Sequence, residues 1–204
     1  GSLHAAWQRS LPELEQAGLP MDACQSLQEL RHTFHSDLAI ASLEREGIQV
    51  VLTTDTEYPP LFHQIHDRPE ALFVRGSVRH LPWIALVGSR NMTSYGERCL
   101  RELIPDLIAA GAGIISGLAL GVDGAVHRTA LATGGYTAAF LGGGIDNASL
   151  YPRSHVDLAH AILKSGGALF SEFPPKTASR SFHFPLRNRL IAGSSLATIV
   201  VEAT

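Results

Sequence analysis

The stretch WIALVGSRNMTSYGERCLRELIPDLIAAGAGIISG, residues 83–117, decides the fold. It begins with an apolar run that ends in Gly-Ser-Arg, which is typical of a buried strand followed by a tight loop. Residues 94–111 then carry apolar side chains three and four positions apart, as in an amphipathic helix that ends at Gly111. A second apolar run follows at 112–117. This order of strand, loop, helix and strand predicts a βαβ unit of a parallel sheet.

The same alternation continues along the rest of the chain. Because the strand patterns are continuously apolar, helices should cover both faces of the sheet. We therefore expect an α/β fold with a Rossmann-like parallel sheet covered by helices. The last strand pattern reaches the end of the sequence with no helix after it, so we expect the sheet to be truncated at its C-terminus. The further helix patterns lie at 121–135, 154–167 and 184–195, and the further strand patterns lie at 136–144, 167–173 and 196–203.

The first part of the chain has a different pattern. Helical spacing dominates residues 1–47, which we interpret as a small, partial helical module. Residues 48–81 combine a short strand pattern with several prolines, and we interpret them as a linker with short strands. Residues 82–204 form the Rossmann-like domain, which we expect to be incomplete.

Composition and charge indicate a globular protein with a local basic region. The formal net charge is −3, and no apolar run approaches the roughly 20 residues of a membrane span. Residues 1–70 hold 4 arginines and 11 acidic residues, whereas residues 71–204 hold 12 basic and 8 acidic residues. No acidic residue occurs from 173 to 201. Cys24 and Cys99 lie far apart, which favours free thiols and a cytoplasmic location.

Small and polar residues follow four of the predicted strands. The carboxyl ends of parallel strands are where an open α/β sheet binds ligands, and glycine lets a ligand approach the backbone. These loops predict a pocket for phosphate or nucleotide groups. The sequence lacks both the G-x-G-x-x-G and the Walker fingerprints, so we expect neither NAD nor ATP. His155 and His183 lie outside any metal-ligand spacing, so we expect no metal, and no other cofactor is indicated. The four loops are VGSR (87–90), SGLALG (116–121), LGGGID (141–146) and SEFPP (171–175).

The segment FPLRNRLIAG at 184–193 places two arginines in an otherwise apolar stretch, so their guanidinium groups need an anionic partner from the protein or from a ligand. Two arginines two positions apart cannot point the same way on a helix, so one could reach a phosphate while the other pairs with Glu172 or Glu202. Asn188 between them could contact a base, and a base could stack on Phe184 if that ring is exposed. Arg90, just after a strand, should project over the same pocket.

Two enzymatic alternatives follow from the residues. Ser116, His127 and Asp123 could be read as a triad, but Asp123 and His127 are four positions apart on a helix, which favours a structural hydrogen bond. A Rossmann-like enzyme acting on nucleoside monophosphates would use the same phosphate-binding edge of the sheet. In this it resembles the lysine-decarboxylase-like phosphoribohydrolases, which carry an acidic catalytic residue in a glycine-threonine loop. The glycine loop here leads to Asp146 and has no matching glutamate, which makes this the weaker alternative.

Read in order, the motifs resemble the DprA/Smf family of bacterial DNA-processing proteins. The resemblance covers about two thirds of the chain. The matching stretches are YPPLFHQIHDRPEALFVRG (58–76), IALVGSRNMTSYGE (84–97), GIISGLALGVDGAVHRTAL (113–131), AAFLGGGIDNASLYPRSH (138–155), GGALFSEFPP (166–175) and FHFPLRNRLIAGSS (182–195).

The resemblance implies an extended Rossmann-like domain preceded by a helical, SAM-like module. It implies a protein that binds single-stranded DNA, protects incoming DNA in natural transformation and loads the RecA recombinase, as a homodimer and not as an enzyme. Leu120 stands where the family usually has a basic residue, so we expect one phosphate contact fewer. Carried over by motif, the DNA-binding residues are Ser89, Arg90, Ser116, Gly117, Gly142, Gly143, Gly144, Phe184, Arg187, Asn188 and Arg189.

Overall fold

The structure, a computed structural model, describes residues 3–203. These residues fall into two compact units that divide between Ser42 and Leu43. The N-terminal part is helical, as predicted. Its first two helices are short because Ser10 interrupts them: the Ser10 backbone N–H donates to the Glu13 carboxylate at 2.8 Å, which starts a new helix. The helices are α1 (Leu3–Gln8), α2 (Leu11–Gln16), α3 (Met21–Thr33) and α4 (Ser36–Glu46).

The remaining chain builds one seven-stranded sheet with the order β1-β2-β6-β5-β4-β3-β7. The strands from β6 to β7 in that order are parallel, as the sequence predicted. The chain runs from β3 to β4 on one side and reaches β7 on the other, so a topological switch point lies between β3 and β7. The strands are β1 (Ile48–Leu52), β2 (Ala71–Gly76), β3 (Trp83–Val87), β4 (Gly113–Ser116), β5 (Thr137–Phe140), β6 (Ala168–Ser171) and β7 (Ala197–Val200).

Four helices connect and cover the parallel strands. Thr93 caps the first of them by accepting a hydrogen bond from the Tyr95 backbone N–H, and Gly111, at φ +86°, follows its end as predicted. Two 3-10 turns, Pro60–Gln64 and Arg153–His155, lie in the connections. The helices are α5 (Ser94–Ala109), α6 (Val122–Ala132), α7 (Val156–Lys164) and α8 (His183–Gly193).

The sheet is mixed, which differs from the expectation of a parallel sheet alone. β2 pairs antiparallel with β6, and β1 pairs antiparallel with β2. Both strands come from 48–81, the segment interpreted as a linker with short strands. The prolines of that segment stay outside the strands, and Leu72 and Val74 alternate with partly exposed neighbours in β2. This alternation buries one face of β2 and makes it part of the core.

Both faces of the central strands β4, β5 and β6 are buried. Ile115, Ala138 and Phe140 point to one side, where Phe62, Trp83 and Phe170 complete an aromatic-rich cluster. The intervening residues, among them Leu86, Ile114 and Ala139, point to the other side, against the apolar faces of the covering helices. This alternation explains the continuous apolar runs in the sequence. Within residues 3–203, the structure has no helix of the length and apolar character that crossing a bilayer requires.

Candidate nucleic-acid interface

The segments that follow β3 and β4, together with α8 and β7, enclose a cavity of about 290 Å³. A smaller cavity lies beside it and shares Arg90, Ala119 and Phe184 with it. We call the two together the carboxyl-edge groove. The first cavity is lined by Val87, Gly88, Arg90, Ala119, Asp123, Phe184, Arg187, Asn188, Ile191, Ala192 and Thr198, and the second adds Gly117, Leu120, Gly142, Tyr151 and Pro152.

Arg90 presents an exposed positive charge at the mouth of this groove. Its guanidinium carbon lies 5.3 Å from the centroid of the half-buried Phe184 ring, in a cation–π contact. The Tyr151 ring lies 6.0 Å from Phe184. Within residues 3–203, no carboxylate comes within 4.0 Å of the Arg90 guanidinium; the nearby acids Glu97 and Asp123 form no ion pair with it. The charge is available to a ligand.

Arg187 is only 3% exposed and holds the loops of the groove together. Its Nη1 donates to the carbonyl oxygen of Gly117 at 2.6 Å and to that of Phe140. A Cβ on Gly117 would lie 2.3 Å from the same nitrogen, so the guanidinium needs glycine there. Burial lowers the pKa of Arg187 to about 10, which leaves the group charged at neutral pH.

Asp123 is the acidic partner of this buried charge. It is 6% exposed, and burial raises the pKa of its carboxyl group. The positive charge of Arg187 and the Ala119 backbone N–H, at 3.3 Å from Oδ2, oppose that rise. Asp123 and Arg187 therefore form the floor of the groove.

Arg189 lies outside the groove. Its Nε is 2.8 Å from the Asp67 carboxylate and its Nη2 is 2.6 Å from that of Glu172. The predicted pairing of one of the two arginines with Glu172 is thus confirmed, and the arginine is Arg189. Because two carboxylates hold its guanidinium, Arg189 joins α8 to neighbouring loops.

Of the three glycines in the predicted glycine loop, one lines the groove and two lie beneath another loop. Gly142 lines the groove, and a Cβ there would lie 3.1 Å from the Phe184 ring. Gly143 and Gly144 lie under residues 177–179, since Gly144 N–H donates to the Thr177 carbonyl at 2.9 Å. These two glycines allow close packing of two loops.

Two predicted serines shape the loops through hydrogen bonds. The buried Ser116 hydroxyl donates to the Leu86 carbonyl oxygen at 2.7 Å. The Ser89 carbonyl oxygen accepts from the Val122 N–H at 3.0 Å, and the Ser89 N–H donates to the Glu202 carbonyl at 2.9 Å. The exposed Asn188 lies at the rim of the groove. Of the eleven predicted residues, Arg90, Gly117, Gly142, Phe184, Arg187 and Asn188 line the groove.

The structure adds basic residues that the sequence analysis missed. A third cavity, of about 330 Å³, shares Tyr151 with the groove and is lined by Arg153 and Lys176. The Arg153 Nη2 donates to the Ala148 carbonyl oxygen at 2.6 Å, which fixes its guanidinium. Arg153 follows Tyr-Pro in the motif YPRSH, and a search for exposed basic residues next to an aromatic would have found it. Leu120 is 46% exposed and lines the groove, so a basic side chain there would face it.

The triad that the sequence offered lacks its geometry. The His127 ring bonds through Nδ1 to the Thr137 hydroxyl at 2.8 Å, and not to Asp123 as the helix spacing suggested. Asp146 is 4% exposed, and its carboxylate accepts the Lys176 N–H at 2.7 Å. Burial raises its pKa, but hydrogen bonds from the Lys176 N–H and the Ser149 hydroxyl outweigh burial and lower it. In the described part of the chain, no three His, Cys, Asp or Glu side chains form a group that could hold a metal ion.

Comparison with known proteins gives a consistent set of relatives. The protein Smf of Escherichia coli (strain K12) is 39% identical over 193 residues, which cover 93% of this chain and 50% of that protein. The DNA processing protein DprA of Bacillus subtilis (strain 168) is 36% identical over 166 residues, which cover 80% of this chain and 55% of that protein. This chain spans about half the length of the curated relatives it matches.

Solved structures and a family model agree with these relatives. The X-ray structure of DNA processing protein A from Streptococcus pneumoniae matches with a TM-score of 0.77 at 30% identity, over 95% of this chain and 66% of that one. The Helicobacter pylori protein, described as having a unique single-stranded DNA binding mode, matches with a TM-score of 0.67 at 26% identity, over 76% of this chain and 69% of that one. A family model described as DNA recombination-mediator protein A matches residues 49–204. This chain therefore belongs to that family, the DprA/Smf DNA-processing proteins.

Proposed function

We propose that this chain binds single-stranded DNA along the carboxyl-edge groove. The observation that carries the proposal is the exposed Arg90 guanidinium, which lies over the Phe184 ring at the switch point of the sheet and has no carboxylate partner among residues 3–203. A phosphate and a base are the two groups that such a pair of side chains binds. The single-stranded DNA binding mode described for the Helicobacter pylori relative supports this proposal.

The groups around the groove suit a single strand. Arg90 at one end and Arg153 and Lys176 at the other are separated by the rings of Phe184 and Tyr151. Positive charges would hold successive phosphates, and the rings would stack bases without regard to sequence. Asn188 would contact a base edge at the rim. Arg187 and Arg189, held by contacts within the protein, would shape the site from behind.

The wider role belongs to the whole protein and extends the same proposal. We propose that it protects incoming DNA in natural transformation and loads RecA onto the bound strand, as a cytoplasmic homodimer that acts by binding and not by catalysis. The family resemblance supports these statements. The groove supplies their first step, which is capture of the strand.

The test is fluorescence anisotropy of labelled oligo-dT across a salt series, with Arg90→Gln and Phe184→Leu as variants. A charge-assisted contact is worth about 1.5–3 kcal/mol, so Arg90→Gln should weaken binding about tenfold or more. It should also reduce the slope of log K against log salt by about 0.7. Phe184→Leu should weaken binding without changing that slope, because the ring carries no charge.

The matched control is Arg98→Gln, which removes an exposed arginine on α5 outside the groove. It should leave affinity close to that of the wild type. Equal losses for Arg90→Gln and Arg98→Gln would mean that only overall charge matters and would contradict the assigned site. Lack of oligo-dT binding at low salt, together with binding of AMP or GMP, would favour the nucleotide-enzyme alternative.

A further inference from the structure

Four polar side chains from different elements converge on the loop between β5 and α7. Asn147 lies at the centre of this cluster. Its Nδ2 donates to the Glu46 carboxylate at 2.9 Å, and its backbone N–H lies 3.3 Å from the same oxygen. Its Oδ1 accepts from Arg75 Nη1 at 2.9 Å and lies 3.0 Å from His160 Nε2. We call Glu46, Arg75, Asn147 and His160 the Asn147 clamp.

The clamp fixes the Asn147 amide through both of its ends. The Oδ1 atom has two acceptor positions, and both have a partner. Glu46 comes from the last turn of α4, Arg75 from β2 and His160 from α7, so three elements of the fold orient one side chain. Arg75 Nη1 also lies 3.4 Å from the Ile145 carbonyl oxygen and 3.9 Å from Glu46. These contacts hold the loop at 145–147.

The held loop leads directly into the basic end of the proposed DNA site. The next residue, Ala148, supplies the carbonyl oxygen that fixes the Arg153 guanidinium at 2.6 Å. A second Arg153 nitrogen lies 3.5 Å from the Asn147 carbonyl oxygen. Tyr151 lies between these residues and lines both the groove and the third cavity. A change in the position of 147–148 would therefore move the anchor of Arg153.

We propose that Glu46, Arg75 and Asn147 are positioning residues for single-stranded DNA: they hold the 145–153 loop so that Arg153 and Tyr151 face the strand. This inference rests on the proposed function. It also makes the C-terminal turn of α4 part of the binding machinery, although Glu46 carries the same sign of charge as the ligand. By positioning Arg153, Glu46 should strengthen DNA binding, whereas its negative charge alone would weaken it.

That opposition gives a sharp test by anisotropy with oligo-dT. Glu46→Ala removes an acid near the DNA, so simple electrostatics predicts tighter binding. Loss of the clamp predicts weaker binding, by about three- to tenfold, and a salt slope reduced by about 0.7 because Arg153 no longer holds its phosphate. Glu46→Gln keeps an acceptor for Asn147 and should restore most of the affinity. The matched control, Glu44→Ala, removes an exposed acid on the same helix and should bind as tightly as the wild type, or more tightly.

A double-mutant cycle completes the experiment. In the Arg153→Gln background, Glu46→Ala should have a clearly smaller effect than in the wild type, because the Arg153 contact is already lost and only the Tyr151 contribution remains. Asn147→Ala, at an exposed position, gives an independent route to the same loss and should show the same dependence on Arg153. Thermal unfolding of each variant reports whether the fold is kept.

The outcomes separate the two proposals. The positioning role would be overturned, and DNA binding left in place, if Glu46→Ala and Asn147→Ala kept the wild-type affinity and salt slope. Full additivity of either change with Arg153→Gln would overturn it as well. Failure of the wild-type chain to bind oligo-dT would overturn the proposed function and this inference with it. Weaker binding that depends on Arg153 and is restored by Glu46→Gln would support both.

Discussion

Arg187 shows how a single buried charge can organise a binding site. Its guanidinium donates to carbonyl oxygens that follow β4 and β5, and Asp123 supplies the compensating negative charge. Because the same guanidinium donates to both carbonyl oxygens, it fixes the relative position of the two loops. The loops of the groove are therefore held in place by the protein itself, which spares a ligand the cost of ordering them.

His127, which is also fully buried, leads to a prediction about stability at acidic pH. Burial, with smaller contributions from His155 and Arg187, lowers its pKa to about 3 from an ordinary value of 6.5. Below pH 6.5 the unfolded chain takes up a proton that the folded chain does not. The free energy of unfolding should therefore fall as the pH drops from about 6.5 towards 3, by up to about 1.4 kcal/mol per pH unit. His127→Leu should flatten this slope in urea unfolding at pH 7, 6 and 5.

The comparison of slopes isolates His127 from its neighbours. The raised pKa of Asp123 acts in the opposite direction, since the folded chain protonates that carboxyl before the unfolded chain does. Both proteins carry Asp123, so its contribution cancels in the difference. Parallel pH profiles for the wild type and His127→Leu would contradict the prediction, whatever the offset between them.

At the scale of elements, the end of the sheet is tied to the start of α5. One Glu202 carboxylate oxygen accepts the Thr93 backbone N–H at 2.8 Å and the other accepts the Thr93 hydroxyl. A Cβ on Gly96 would lie 2.6 Å from the first of these oxygens, so the carboxylate sits directly on the first turn. A negative charge there complements the positive end of the helix dipole.

This contact predicts a measurable loss of stability. Glu202→Gln should lower the free energy of unfolding by about 1 kcal/mol in urea, since it removes both the charge at the helix start and one charge-assisted hydrogen bond. Glu102→Gln is the control, because Glu102 is an exposed acid of α5 that lies beyond its first turn. The control should cost less than about 0.5 kcal/mol. Equal effects of the two substitutions would mean that the carboxylate contributes only as a surface charge.

The elements also show where sequence reasoning succeeds. The helix and strand patterns from residue 83 onward were confirmed because apolar periodicity, glycine stops and short loops all agree there. β2 was harder to recognise, because prolines surround it and its antiparallel partner, β6, lies about a hundred residues away in sequence. A local sequence pattern cannot predict which distant strand β2 pairs with. The only local signal of β2 itself was the alternation at Leu72 and Val74.

The candidate site was predictable by class and only partly by residue. The position of Arg90 follows from a general rule about strand ends, whereas Phe184 reaches the groove from the first turn of α8. The roles of Arg187 and Arg189 depend on which carboxylates the fold brings near each of them, and Asp67 in particular lies far away in sequence. Arg153 and the Asn147 clamp depend on contacts among α4, β2 and α7. The sequence spacing of these charged residues indicates that they need partners, but which residues become those partners depends on the tertiary packing.

At the scale of the whole molecule, the charges are separated along the chain. The acidic residues concentrate before residue 70, whereas the stretch from 173 to 201 has none and includes Lys176 and the start of α8. A protein with a net charge of −3 can in this way present a local positive surface.

The sheet itself leads to the last prediction, which concerns self-association. β7 is the last strand in the sheet order, and no strand within residues 3–203 pairs with its outer side. Val200 is 59% exposed, and the strand Ala-Thr-Ile-Val carries none of the charges or prolines that protect natural edges.

We expect the 204-residue chain to associate through this β7 edge, so that its sedimentation coefficient rises with concentration in sedimentation velocity. Val200→Lys should keep it monomeric, because pairing would bury the added charge. Ala132→Lys, at an exposed helix end, adds the same charge elsewhere and should associate like the wild type. If the wild-type chain stays monomeric at every concentration, or both lysine variants behave alike, the β7 edge is not what brings the copies together.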